Sequence, residues 1–102
     1  MRVIAVKRIR AYVLKHPAAA TGLHRWLAVA REARWSSLAD VRAAFPHADP
    51  VTVVSGRTVT VFNIAGNNFR LITAIHYNTG VVYVLRFLAH AEYDKAHWKD
   101  EL

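Results

Sequence analysis

Side chains that could catalyse a reaction at a phosphodiester occur together between residues 61 and 94. Two arginines, Arg70 and Arg86, are followed by His90 and Tyr93. Cleavage of RNA by its 2′-hydroxyl needs a base, a cation to stabilise the phosphorane, and an acid for the leaving 5′-oxygen. A guanidinium fits the second task, because it stays protonated and offers fixed donors to phosphate oxygens. His90 could be the base or the acid, and Tyr93 could assist a proton transfer, although a phenol is a weak base.

The last predicted hairpin decides whether these groups can act together. Strong β-forming residues predict strands over 69–77 and 81–88, with residues 78–80 as the loop. This loop would make Arg70 and Arg86 diagonal neighbours on one face of the sheet. A register shift of one residue would instead put them on opposite faces. In the expected register the opposed pairs are Arg86 with Ile72 and Arg70 with Leu88, and His90 lies near Asn68.

The remaining elements follow from apolar periodicity and turn residues. Helical spacing of apolar residues predicts helices over 6–15 and 18–33, the first ending before Pro17. A short third helix begins after Ser36 or Ser37, with Asp40 in the capping-box position. Further strands are expected over 2–5, 51–54 and 58–64, and a C-terminal helix over 90–98. This order is typical of an α+β fold in which two to three helices pack on a mainly antiparallel sheet.

Composition limits the class of protein. The 102 residues suggest one domain, 1–102. The absence of cysteine excludes disulfides and thiolate metal sites. The six histidines show no zinc spacing, and no cofactor or metal is expected. The apolar N-terminal run is too short for a signal peptide, and no run could span a bilayer, so we expect a cytoplasmic protein without membrane contact.

The positive charge is concentrated at one end. Residues 1–38 carry eight bases and one acid, which equals the net charge of +7 of the whole chain. A basic layer indicates a polyanionic partner, and nucleic acid is favoured at this pI. An acidic protein partner or a solvated helix face would fit the same charges. The bases expected to contact RNA are Lys7, Arg8, Arg10 and Arg25.

The candidate catalytic residues also have structural explanations. Arg86 could be neutralised by Glu92 or Asp94, and His90 could only cap a helix. The asparagines at 63, 67 and 68 could serve turn geometry alone. Composition and spacing do not decide between these structural roles and a catalytic one.

Several segments together resemble the HigB-type toxins of bacterial type II toxin–antitoxin systems, within the RelE superfamily. Nearly the whole chain takes part in the resemblance, which departs from the family at Ala89, where threonine is usual, and at Phe69, where tyrosine is common. The matching segments are the basic helix ending in His16-Pro17, Trp26, Trp35 with Ala39-Asp40, Ala44-Phe45-Pro46, Val61-Phe-Asn-Ile-Ala-Gly-Asn-Asn-Phe-Arg-Leu-Ile72, Arg86, and His90-Ala-Glu-Tyr-Asp94.

The resemblance implies a RelE-like toxin that cuts translated mRNA on the 70S ribosome without a metal. It implies Arg70, Arg86, His90 and Tyr93 as catalytic motif residues, with Asn63 and Asn67 as motif asparagines. It also implies inhibition by a HigA-like helix-turn-helix antitoxin, without which no DNA is bound. Two other hypotheses remain: an RNA-binding module that cuts nothing, and a toxin of the same fold with a protein target such as gyrase.

Overall fold

The computed structural model describes residues 1–102 and contains five strands and five α-helices. A 3₁₀ turn at Pro17–Ala19 precedes α2. No helix is long and apolar enough to cross a membrane. The elements in chain order are β1 (Arg2–Ile4), α1 (Val6–Lys15), α2 (Ala20–Glu32), α3 (Leu38–Ala44), β2 (Asp49–Thr52), β3 (Thr58–Ile64), β4 (Phe69–His76), β5 (Val81–Ala89), α4 (His90–Asp94) and α5 (Trp98–Glu101).

All five strands form one sheet in the order β1-β5-β4-β3-β2. Only β1 pairs in parallel, with β5, and the other three pairings are antiparallel. The α+β class and the mainly antiparallel, RelE-like sheet are therefore confirmed. β1 pairs only as far as Tyr83 on β5, so the second half of β5 is an edge. Arg8 covers this edge by donating hydrogen bonds to the carbonyl oxygens of Val84 (3.0 Å) and Leu85 (3.3 Å).

The two faces of the sheet bury different apolar clusters. On one face α1 and α2 pack through Ile9, Leu23 and Trp26 against strand residues such as Phe62 and Phe87. On the other face the strand residues Val59, Val61 and Ile72 are buried with Trp98 of α5. Side chains alternate along a strand. Arg70 lies between Phe69, which stacks on Phe87, and Leu71, which is also in the helix-side cluster, so Arg70 belongs to the face that α5 covers.

The predicted pairing of the last hairpin is correct at Arg70 and Arg86, although the loop that was expected to produce it is not the observed one. The loop is Tyr77–Gly80, because His76 pairs with Val81, and the predicted three-residue loop is wrong. If the pairing that starts at His76 and Val81 continued without interruption, Arg86 would point towards the helices, like Val82 and Val84.

A bulge restores the predicted register. The pairs change from Thr73 with Val84 to Ile72 with Arg86, which leaves Leu85 as the extra residue. An extra residue reverses the faces of everything beyond it. Arg86 therefore lies opposite Ile72 and Arg70 opposite Leu88, as predicted.

Other details of the elements also differ from the prediction. β2 begins at Asp49 and includes Pro50, which an edge strand tolerates because its outer N–H groups need no partner. The C-terminal helix is broken into α4 and α5, since Ala96 has a φ of 60°. Asp40 does not close a capping box on Ser37 but accepts hydrogen bonds from the backbone N–H (2.9 Å) and hydroxyl (2.8 Å) of Ser36. These bonds hold the pKa of Asp40 below its usual range.

Candidate active site

Arg70 is a buried cation that has no carboxylate partner. It lies on β4 with 9% of its surface exposed. Its Nη1 donates hydrogen bonds to the carbonyl oxygens of Asn67 (3.2 Å) and Phe69 (3.1 Å), and its Nη2 donates to Oδ1 of Asn67 at 2.5 Å. The only ion pairs within 4.0 Å are Arg86–Glu101 and His90–Asp94. Burial without a counter-charge is costly, so this guanidinium is ready to bind an anion.

A cleft of about 370 Å³ opens beside this guanidinium, and we call it the Arg70 cleft. Asn63 borders it from β3, directly opposite Arg70 in the ladder. α3 and the loop after it supply a second cation and an imidazole to the same cleft. Its polar lining residues are Arg42, His47, Asp49, Asn63, Arg70 and Tyr93.

Tyr93 joins this cleft to the C-terminal helices. The guanidinium carbon of Arg70 lies 5.5 Å from the centre of the Tyr93 ring, and Trp98 stacks on Tyr93 at 5.2 Å. Burial is the largest cause that raises the pKa of Tyr93, and the carboxylates of Asp49 and Asp94 raise it further. The positive charge of Arg70 lowers the pKa, but the net shift is upward. The phenol therefore stays protonated at neutral pH and can donate a hydrogen bond or a proton, but it is a poor base.

Arg86 lies in a different cleft. The Arg86 cleft, of about 360 Å³, is formed with Leu88 and with residues from α4 to α5, including Glu92, His97, Trp98 and Glu101. Nε of Arg86 is 3.3 Å from Oε2 of Glu101, so neither predicted partner, Glu92 nor Asp94, neutralises it. Tyr93 lines the Arg70 cleft, and Trp98, which stacks on Tyr93, lines the Arg86 cleft. The two arginines share a face of the sheet but line different clefts.

His90 does not line either cleft. Its backbone N–H donates to the carbonyl oxygen of Asn68 at 2.9 Å, which confirms their predicted proximity. Nε2 lies 3.1 Å from Oδ2 of Asp94, one helical turn later. Nδ1 is buried without a hydrogen-bond partner. The structure thus brings Arg70, Tyr93 and Asn63 together and leaves Arg86 and His90 apart from them.

The N-terminal bases are also divided. Lys7 and Arg10 are exposed on α1, whereas Arg8 is held on the β5 carbonyls. Arg25 of α2 lines a third cleft, of about 410 Å³, which Asn63 also borders. Of the four predicted RNA contacts in this half of the chain, only Arg25 adjoins the candidate site.

Sequence reasoning missed Arg42, His47 and Asp49. Each is a single polar residue in or after a short helix, where a solvated position is the ordinary interpretation. Nε of Arg42 donates to the carbonyl oxygen of Ala48 at 3.1 Å, which fixes the loop beside His47. Pro46 and Pro50 marked this loop in the sequence, but nothing in the sequence indicated that it borders β4.

A mainly antiparallel five-stranded sheet backed by helices defines the class of the protein, a small RelE-like α+β protein. The comparison with known families is more specific. The chain belongs to the HigB toxin family, since the model described as "HigB_toxin, RelE-like toxic component of a toxin-antitoxin system" matches residues 19–96. Membership implies an antitoxin as partner.

The chain is also similar to the mRNA interferase HigB of Escherichia coli O6:H1 (strain CFT073). The two are 30% identical over 95 residues, which cover 93% of this chain and 90% of the relative. The family match includes Arg70, Arg86, His90 and Tyr93 but not α1 or α5. Glu101, the partner of Arg86, therefore lies outside the matched residues. No group of three or more His, Cys, Asp or Glu side chains could hold a metal ion.

Proposed function

We propose that this toxin is a ribosome-dependent endoribonuclease that cleaves translated mRNA and so stops growth. The observation that carries the proposal is Arg70, a buried guanidinium that forms no ion pair, in a cleft that also contains Arg42, His47 and Asp49. The family and the similarity to an mRNA interferase support it. The scissile phosphate would be the missing counter-charge of Arg70.

In the proposed reaction the 2′-oxygen attacks phosphorus and the bond to the 5′-oxygen breaks. The products are a 2′,3′-cyclic phosphate and a 5′-hydroxyl end. Arg70 stabilises the charge that develops on the phosphorane, and its fixation by Asn67 keeps its donors aimed without reorganisation. The side chains supply the cation and the proton-transfer groups, so the toxin is proposed to need no metal ion of its own for the reaction.

Two proton transfers remain to be assigned. Tyr93 is suited to donate a hydrogen bond, because a phenol is protonated at neutral pH, and the raised pKa of Tyr93 makes it a poor base. His47 is the imidazole that lines the Arg70 cleft, and we assign it the transfer that the sequence suggested for His90. His90 and Arg86, motif residues of the family resemblance, are proposed to act after their pairs with Asp94 and Glu101 open on the ribosome.

The proposal extends to partners and location. Residues 1–102 would act as one RelE-like domain in the cytoplasm. The exposed bases Lys7 and Arg10 would contact ribosomal RNA through their charge. A HigA-like helix-turn-helix antitoxin would inhibit the toxin, and the toxin alone would not bind DNA.

The test is inducible expression of wild type, Arg70→Ala and Arg86→Ala, with growth followed and mRNA 5′ ends mapped. We expect new cuts within coding regions for wild type and a loss of roughly 10²–10³-fold in Arg70→Ala, the effect of removing one transition-state donor. Arg57→Ala removes an exposed arginine that lines none of the clefts and is the matched control.

Two outcomes would contradict the proposal. Arrest without cuts would indicate a protein target on the same fold. A folded Arg70→Ala protein that cuts like wild type would remove Arg70 from the reaction.

A further inference from the structure

A third cleft continues from the Arg70 cleft and is the part of the molecule that the proposed reaction does not use. Asn63 borders both clefts. The third cleft, which we call the Arg25 cleft, lies between α2 and the end of β3. It is lined by Ala18, Thr21, Gly22, Arg25, Trp26, Phe45, Asn63, Ile64, Ala65 and Gly66.

The lining of the Arg25 cleft suits a flat group with polar edges. Trp26 and Ile64 are buried and form apolar walls, and Phe45 is half-buried, with its ring in T-shaped contact with Phe62 at 5.2 Å and with Trp35 at 6.1 Å. An aromatic ring in the wall of a cleft can offer a stacking surface to a flat group. At the rim, the Asn63 amide offers both a donor and an acceptor, and the Arg25 guanidinium offers donors only. Stacking on an aromatic ring with hydrogen bonds at the edge is how proteins bind unpaired nucleobases.

Charge decides which way an RNA strand can leave the Arg70 cleft. The Arg25 cleft contains no acidic residue. The Arg86 cleft contains two acids, Glu92 and Glu101, beside two bases, Arg86 and Lys95, so it offers no net positive charge. A strand bound at Arg70 would therefore meet a net positive charge past Asn63, towards Arg25.

We infer that the Arg25 cleft binds the nucleobase next to the cleaved phosphate and sets the base preference of cleavage. This inference rests on the proposed function, because that function places the cleaved phosphate at Arg70. The cleft itself would bind an unpaired base of RNA even if no cut followed. Asn63, which borders both clefts, would contact the nucleotide between its phosphate at Arg70 and its base at Arg25.

Two variants of α2 test the inference, each with a matched control on the same helix. Thr21→Trp fills the cleft from an exposed position, and Ala28→Trp places the same ring at an exposed position that lines no cleft. Arg25→Ala removes the rim cation, and Arg31→Ala removes an equal charge away from it. We expect Thr21→Trp and Arg25→Ala to change the preference for the base beside the cut by roughly 10-fold, the scale of one good side chain–base contact.

The readout is the base composition around mapped cuts, normalised to the total number of cuts. A changed composition in Thr21→Trp and Arg25→Ala, with both controls like wild type, is the expected result. An unchanged composition in both variants would overturn the inference while the nuclease activity stood.

A second readout does not depend on cutting. A short RNA whose 2′-hydroxyl groups are all methylated cannot be cleaved by 2′-hydroxyl attack, and it can be titrated into ¹⁵N-labelled protein. Shifts of the Gly22 and Gly66 amides that disappear in Thr21→Trp would support the base site, even if wild type proved inactive as a nuclease. Shifts confined to the Arg70 and Arg86 clefts would overturn it.

Discussion

At the scale of single residues, the difference between Arg70 and Arg86 matters most. Both are strand arginines on the same face of the sheet, but Arg70 is buried without a carboxylate, whereas the Arg86 side chain is 37% exposed and pairs with Glu101. An exposed pair of this kind contributes about 0–1 kcal/mol to stability and can open easily. Arg70 is fixed by Asn67 and Phe69, so its position does not depend on the substrate.

The histidines give a prediction at this scale. His47→Ala should lower the single-turnover rate of cleavage of ribosome-bound mRNA by about 10²–10⁴-fold, the usual contribution of a proton-transfer group. His90→Ala should have a smaller effect, because His47 and not His90 lines the Arg70 cleft. A larger loss in His90→Ala than in His47→Ala would return the proton transfer to His90.

At the scale of elements, Ala89 has a structural explanation. It is the N-cap residue of α4, with extended φ and ψ of −64° and 154° and no side-chain cap. The threonine usual in the family would supply a hydroxyl that accepts a hydrogen bond from the first turn. We therefore expect the departure at Ala89 to affect the stability of α4 and not the chemistry of cleavage.

Ala89→Thr should therefore stabilise the protein by up to about 1 kcal/mol in urea unfolding and leave the cleavage rate unchanged. Ala91→Thr puts the same side chain inside α4, where β-branched residues are less favourable, and should not stabilise. A faster cleavage by Ala89→Thr without a gain in stability would give the hydroxyl a chemical role.

The contact between α2 and β3 depends on a glycine. A Cβ at Gly22 would lie 2.9 Å from Cγ2 of Ile64 and 3.1 Å from the backbone nitrogen of Ala65. Neither atom can move easily, because one belongs to a β-branched side chain and the other to the backbone. Alanine would gain about 1 kcal/mol of helix propensity, but overpacking costs about 1–3 kcal/mol.

Gly22→Ala should thus destabilise the fold by up to about 2 kcal/mol, the difference between these two effects, as measured by urea unfolding. Ala28→Gly, at an exposed position of the same helix, should cost about 1 kcal/mol through propensity alone. A more stable Gly22→Ala protein would mean that α2 can move away from β3.

At the scale of the whole molecule, three tyrosines connect stability to alkaline pH. Burial raises the pKa of Tyr12, Tyr77 and Tyr93 above the ordinary value. Their contribution to stability is complete below the unfolded-state pKa of about 10. It is lost as the pH rises from there through the folded-state values, because the unfolded chain releases these protons first.

The free energy of unfolding should therefore fall steeply above about pH 10, as followed by denaturant titration between neutral and alkaline pH. Tyr93→Phe should reduce this fall by removing one of the three groups, and Tyr12→Phe and Tyr77→Phe should do the same independently. An identical alkaline slope in all three variants would show that other groups control it.

Charge is a second property of the whole molecule. Residues 1–38 carry the entire net charge of +7, but α1 packs on the face of the sheet opposite Arg70. The basic surface and the Arg70 cleft are thus presented in different directions. A partner such as a ribosome, which can surround a small protein, would contact both.

The sequence by itself determined the element types and the fold class. The bounds of α1 and β3 were predicted to the residue, since apolar spacing and turn residues are local signals. Local signals failed where contacts with distant parts of the chain decide the structure. Examples are the break of the C-terminal helix at Ala96 and the start of β2 at Asp49. Local signals also identified Arg70 and Tyr93, which the structure brings together.

Which residues share a cleft follows from how the elements pack. The bulge at Leu85 restored the face of Arg86 after a loop that the sequence misplaced, and Arg86 and Arg70 nevertheless line different clefts. Arg42 and His47 reached Arg70 from distant positions in the chain. Such proximity depends on how whole elements pack, and residue types and spacing describe only what lies near in sequence.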